Sequence, residues 1–318
     1  MRRIQVFLLV VLLCAPLAAA QTPEELLRSG HADEVIQVLK HLTTTNPGDA
    51  QAWNLLSRAY LSVQKWDDAV SAGEKAVAAA PDNADYHLWL GRAYGQKAEH
   101  SIFITAIRLA KRTRGEFQRA VELQSSNLDA QSDLAEFFIE APSFLGGGKD
   151  KAQAQADKVA TIDPATAHWI QARIAEKDGH NDEAEKEYRG AIAVATKKAP
   201  YWLNLASFYR RNKRYNDLEQ AISKAVEADR SHDDILFEGA QLLYRAGRNF
   251  PAAASLVVRY LASSDKVEQA PTFEAHYLLG SIYEKMGNKQ GAVSEYRAAL
   301  QLASNFEPAQ EALRRVSP

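Results

Sequence analysis

Eight histidines are the first place to look for metal or acid–base chemistry in this chain. His87, His168 and His276 occupy one position of a repeating pattern, the position that Trp53 and Trp202 fill in other repeats. Residues separated by one or more whole repeats do not converge, whereas a metal site needs ligands aimed at one point. Their expected role is therefore packing between helices. His31 and His41 have no nearby partners in sequence, and His100, His180 and His232 fall near helix ends or loops. Neither His-Glu-x-x-His nor Gly-x-Ser-x-Gly occurs. Asp67-Asp68, Asp182-Glu183 and Asp233-Asp234 fall at expected helix starts, where negative charge complements the helix dipole, and they lack the alternating spacing of a calcium loop. Gly146-Gly147-Gly148-Lys149 invites comparison with a phosphate loop. It has no second glycine at the required spacing, Asp150 stands where Ser or Thr is needed, and a helix precedes it instead of a strand. No catalysis, cofactor or metal is expected.

The elements that position these residues follow from internal repetition. From Ala50, a pattern of Trp53, Leu56, Ser57, Tyr60, Trp66, Ala69, Gly73, Ala76 and Pro81 unfolds over about 34 residues, and its register recurs along the chain. Leu90, Gly91, Tyr94, Phe117 and Ala120 form the next unit. Leu134, Ala135, Phe138, Ala156, Val159 and Pro164 form a third, and Ala172, Gly179, Ala184, Tyr188 and Ala191 a fourth. Trp202, Leu205, Ala206, Tyr209, Tyr215 and Ala225 mark the fifth. The sixth is degenerate, keeping Ala240, Gly247 and Leu256. Leu279, Gly280, Tyr283, Gly287, Ala292, Tyr296 and Ala299 mark the seventh. Ahead of Ala50, Gly30, Val35, Leu39, Leu42 and Pro47 fit the back of a unit whose first helix is short. The small residues let two helices approach, the bulky ones fill the gaps, and proline stops a second helix before the next begins.

This pattern resembles the tetratricopeptide repeat, over roughly Glu24 to Val316. The resemblance implies an all-α, right-handed superhelical solenoid of about eight antiparallel helix pairs. It further implies that the first helix of each repeat lines a concave groove. The ninth positions, which face that groove, read Arg58, Arg92, Glu136, Arg173, Ser207, Gln241 and Ser281; the fifth read Asn54, Leu88, Ser132, Trp169, Leu203, Phe237 and Tyr277. Asn54, Arg58, Arg92, Trp169, Arg173, Phe237 and Tyr277 are the expected peptide-binding residues. Arginines beside aromatic residues suit an extended partner with acidic and apolar side chains. The alternative is that these arginines pair with acids across the stack. Carboxylate-clamp repeats, which hold chaperone tails, carry Lys and Asn at these positions. The first full unit has Asn54 and Arg58, so that partner is not expected.

Two inserts interrupt the register. Residues 98–114 are apolar early (Ile102, Phe103, Ile104, Ile107, Leu109) and basic late (Lys111, Arg112, Arg114). They read either as an extended repeat helix packing its apolar residues on a neighbour or as a surface for an anionic membrane or a partner. Residues 141–149 read as a wide loop in which glycines give backbone freedom and Phe144 or Leu145 tucks onto the stack. An alanine-proline and triple-glycine-lysine element of this kind is similar to one in exported bacterial tetratricopeptide-repeat proteins. Residues 307–316 read as a polar helix capping the last repeat.

The ends and the composition set the context. Arg2 and Arg3, the apolar run Val6 to Leu13 and the small residues Ala18 to Ala20 read as a signal peptide, residues 1–20, cleaved before Gln21. The run is short for a membrane span. Leu13 stands where a lipoprotein signal has a small residue, so lipidation of Cys14 is not expected, and the chain from Gln21 to residue 318 contains no cysteine. A formal charge of −2 gives no reason to expect nucleic acid as partner. The expected function is an extracytoplasmic, periplasmic or secreted scaffold that binds a partner polypeptide in its groove. The alternative is a membrane-associated accessory subunit that uses Ile102 to Arg114.

Overall fold

Side-chain caps write many of the helix starts. Thr22 and Glu25 form a reciprocal capping box ahead of the first helix, and Asp49, Asn83, Asn127, Asp163 and Asn288 each accept a backbone N–H of the helix that follows. The computed structural model describes residues 21–229 and 234–317. The signal-like residues 1–20, with Cys14 and Ala20, lie outside the described residues, as do His232 and Asp233.

The described residues form seventeen α-helices and no strand. They run α1 (Pro23–Ser29), α2 (Ala32–Thr45), α3 (Ala50–Ser62), α4 (Trp66–Ala79), α5 (Ala84–Glu99), α6 (Phe103–Leu123), α7 (Leu128–Glu140) and α8 (Lys149–Ala160). The second half comprises α9 (Pro164–Lys177), α10 (Asn181–Val194), α11 (Ala199–Arg211), α12 (Tyr215–Ala228), α13 (Asp234–Ala246), α14 (Phe250–Ala262), α15 (Thr272–Lys285), α16 (Lys289–Leu302) and α17 (Glu307–Val316). Sixteen pair in sequence order, odd with even, and α17 follows the last pair. The all-α solenoid expected from the repeat is thus the observed architecture.

Packing within a pair follows from residue size. Ser57, Ala69 and Ala76 are fully buried between α3 and α4, where the Ser57 hydroxyl donates to the Ala69 carbonyl at 2.7 Å. At Gly280 a Cβ would lie 2.7 Å from the Tyr296 ring, so only glycine admits the α16 tyrosine there. The core is a chain of clusters handed from repeat to repeat, as a solenoid requires.

The ends of the stack meet. Ala32, Ile36 and Val63 of the first units share a cluster with Phe273, Ala299, Ala303, Phe306 and Ala309 of the last. The Phe273 and Phe306 rings lie 5.1 Å apart, edge to face. Gly30, at φ +76°, sits so close that a Cβ would approach the Thr272 nitrogen to 2.4 Å. Arg58 makes a bidentate pair with Glu268, Lys65 reaches Glu307 at 2.8 Å, and Asp33 accepts the Ser304 N–H at 2.8 Å. The superhelix therefore closes on itself.

The inserts differ from their sequence reading. Residues 98–114 do lengthen the α5–α6 hairpin, whose helices run 16 and 21 residues, and Leu109 is buried. Ile102, Phe103 and Ile104 do not pack on a neighbour: they are 77%, 74% and 79% exposed at the hairpin tip. In the second insert, Phe144 is 64% exposed and does not tuck in, whereas Leu145 is half-buried. Gly146 and Gly147 serve close approach there. Arg114 donates to the Leu145 carbonyl at 3.0 Å with its guanidinium against Gly146, so the two inserts pack together.

Candidate functional site

The odd-numbered helices form the concave wall, and an ion-pair ladder crosses it. Arg58 of α3 pairs with Glu268, which stands in the loop between α14 and α15. That loop is held by Lys266, whose ammonium caps the end of α14 by donating to the Tyr260 and Ser263 carbonyls at 2.7 and 2.6 Å. The Arg58 and Arg92 guanidiniums both lie 4.7 Å from the centre of the Trp89 ring. Arg92 donates to Asp133 of α7 at 2.6 Å, with Asp129 3.7 Å away. One turn along α7, Glu136 accepts from Arg173 of α9, which also binds Glu140 and Glu176. Glu176 in turn accepts from Arg211 of α11 and from the Tyr188 hydroxyl.

The electrostatics follow from these contacts. Burial works against the charge of Arg173, but hydrogen bonds and attraction from Glu136, Glu176 and neighbours raise its pKa above the ordinary arginine value. Burial likewise pushes Glu176 up, and the hydrogen bonds from Arg211 and Tyr188 outweigh it, leaving the carboxyl below its usual range. Asp133 is raised, chiefly by burial, with Arg92 opposing. Glu274 lacks an ion-pair partner among the described residues, and burial pushes its pKa up to about 7, with Arg245 only partly opposing.

Two adjoining clefts follow this wall and share Arg92 and Gln96. One, of about 460 Å³, lies over Trp66, Trp89, Arg58, Glu268 and Glu274; the other, of similar size, lies over Phe117, Phe137, Ala98 and Ala110. Together they make a trough from the closure to α7. Its lining carboxylates are Glu99, Asp133, Glu136, Glu140, Glu268 and Glu274, against two lining arginines, Arg58 and Arg92. Arg173 and Lys177 add two further cations, both already bound to Glu136 or Glu140.

The seven residues expected to bind a peptide are thus placed as follows. Asn54 and Phe237 are 4% and 2% exposed and face the packed interior, where Phe237 lies 5.8 Å from the Tyr260 ring; neither is open to a groove. Trp169 is half-buried against the clusters on either side of α9, and Tyr277 against Tyr296 and Phe306. Arg58, Arg92 and Arg173 stand on the wall, each engaged by carboxylates across the stack. The structure brings Arg58 and Arg92 together through Trp89, a residue that the fifth and ninth positions miss. Its own signal was an aromatic residue three before Arg92 on the same helix face. Glu268 and Glu274 were not readable, because the closure that delivers them has no periodic signature.

The repeat-position histidines each bridge the two helices of one unit. His87 meets Glu116 at 2.6 Å, His168 meets Glu187 at 2.6 Å, and His276 meets Glu295 at 2.7 Å. Among the described residues no group of three or more His, Cys, Asp or Glu converges as a metal site.

Tetratricopeptide-repeat family models match residues 26–92, 171–233 and 273–306. Among curated proteins, Superkiller complex protein 3 of Mus musculus is 22% identical over 80% of this chain and 18% of its own length. Tetratricopeptide repeat protein 17 of Mus musculus is 36% identical over 36% of this chain and 9% of its own length. This chain therefore spans less than a fifth of either relative. Among solved structures, yeast Tom70 superposes with a TM-score of 0.55 at 14% identity, over 90% of this chain and 58% of that one, a likeness of fold alone.

Proposed function

Since the chain belongs to the tetratricopeptide-repeat family, whose members generally act as protein-interaction scaffolds, we propose that it is an extracytoplasmic scaffold that holds a partner polypeptide in its concave trough without catalysis of its own. The observation that carries this reading is the trough itself, floored by Trp89, Phe117 and Phe137 and rimmed by carboxylates in excess. The wall arginines are neutralised by Glu268, Asp133, Glu136, Glu140 and Glu176, so they no longer favour an acidic partner. Glu99 and Glu274 have no ion-pair partner among the described residues. A segment carrying apolar and basic side chains suits this surface better. The extracytoplasmic setting rests on the signal-like residues 1–20; N-terminal sequencing of the chain taken from an envelope fraction is expected to begin at Gln21, and a start at Met1 would overturn this setting.

Calorimetric titration of two peptide sets, aromatic–basic and aromatic–acidic, tests the site. The basic set is expected to bind, and Glu99→Lys with Trp89→Ala to weaken it roughly tenfold or more. Binding of the acidic set alone overturns the charge reading. Binding untouched by both substitutions removes the trough from consideration.

A further inference from the structure

The α5–α6 tip presents a feature that the trough does not use. Ile102, Phe103 and Ile104 are contiguous and 77%, 74% and 79% exposed, on the hairpin made by the 16-residue α5 and the 21-residue α6. The turn before them is anchored. His100 stacks on Trp66 at 5.0 Å and bonds to the Gln96 carbonyl at 2.8 Å, and the Ser101 hydroxyl donates to the Lys97 carbonyl at 2.7 Å. The apolar triplet is thus held out in a defined position.

Leu109, Thr113 and Phe117 take the buried face of α6. Ile104, Ile107, Arg108 and Lys111, at i, i+3, i+4 and i+7, share the opposite face, which leads from the apolar tip back to two cations. Arg112 is held by Glu74 and Lys97 by Asp67, whereas Arg108 and Lys111 have no ion-pair partner among the described residues. Three apolar side chains at a convex tip cannot supply the roughly 1,000 Å² of a stable protein interface. They do suit shallow insertion between lipid headgroups, with cations one and two turns behind meeting anionic phosphates. No helix among the described residues is long and apolar enough to cross a membrane, so the contact is one of surface.

We infer that Ile102, Phe103 and Ile104 dip into an anionic membrane surface, with Arg108 and Lys111 engaging its headgroups. The site is separate from the trough, and either reading stands without the other.

Flotation of the chain from Gln21, which contains every described helix, tests this with phosphatidylcholine vesicles with and without one-quarter phosphatidylglycerol. Partition onto the anionic vesicles is expected to exceed that onto neutral ones about tenfold and to fall with salt. Ile102→Ser, Phe103→Ser and Ile104→Ser together, with helicity unchanged by circular dichroism, are expected to lower it about tenfold; Arg108→Glu with Lys111→Glu is expected to return it to the neutral level. A parent chain that ignores anionic vesicles, or a triple-serine variant that binds like the parent, overturns the inference. So does sedimentation showing that the tip joins two copies of the chain, with self-association and not vesicle binding lost in the variant.

Discussion

At the scale of single residues, two carboxylates in the same stack are driven in opposite directions. Burial alone raises Glu185, but hydrogen bonds from Tyr209, Arg214 and Arg189 outweigh it and hold the pKa at about 2. A folded value below the ordinary 4.5 means that this group's stabilisation is present above about pH 4.5 and is lost as pH falls toward 2. Glu274, raised to about 7 by burial, behaves in reverse: the unfolded chain loses its proton first, so stability declines as pH rises from 4.5 through 7. Glu274→Gln is therefore expected to raise stability at neutral pH by on the order of 1 kcal/mol, discounted for its partial exposure, and to flatten the melting temperature between pH 4.5 and 7. Glu185→Gln is expected to lower the melting temperature at pH 7 and to leave it unchanged near pH 2. Removing Arg92 leaves Asp133 without its ion-pair partner. Arg92→Ala is expected to cost about 1–3 kcal/mol in urea unfolding, and Asp133→Asn in the same chain to recover part of it.

At the scale of elements, one node recurs near the ends of first helices. Glu176 accepts from Tyr188 of its own repeat and Arg211 of the next first helix; Glu284 accepts from Tyr296 and from Arg315 of α17. The helix after the last pair thus occupies the place of a further first helix, which is how it covers an otherwise open apolar face. Its own Ala309 and Ala312 are buried on the face turned to the stack. Ending the chain before Glu307 is expected to lower stability by about 2 kcal/mol or more and to promote aggregation, read by thermal unfolding with light scattering.

At the scale of the whole molecule, closure supplies one end of the trough, bringing Glu268 and Glu274 beside Arg58 and Trp89. It also joins the ends, whose contacts would otherwise be limited to nearest neighbours. Phe306 lies in the seam, 2% exposed, within 5.1 Å of Phe273 and 5.4 Å of Tyr277. Phe306→Ala is expected to cost about 3–5 kcal/mol and to open the ring, seen as a larger radius of gyration in small-angle scattering. Gly30→Ala, blocked by its left-handed backbone and by Thr272, is expected to do the same at about 2 kcal/mol, with faster hydrogen exchange in α2 and α16. If exchange quickens evenly over all helices, the seam is not a separable contact.

The sequence by itself determined the helices, their pairing and the solenoid, because these depend on neighbours about 34 residues apart, and a local rule repeated in register leaves a period. It also identified which histidine positions pack, since size at a repeat position is a local property. Only the tertiary structure decided where charge is spent. Arg58 meets Glu268 across 210 residues, and Arg173 meets three carboxylates from α7 and α9, so the pairing across the stack that the sequence left as an alternative is the one realised. Position in a repeat tells which way a side chain points; whether an opposite charge already stands there depends on the neighbouring repeat. The closure was equally hidden, since contacts such as Gly30 with Thr272 occur once and carry no period.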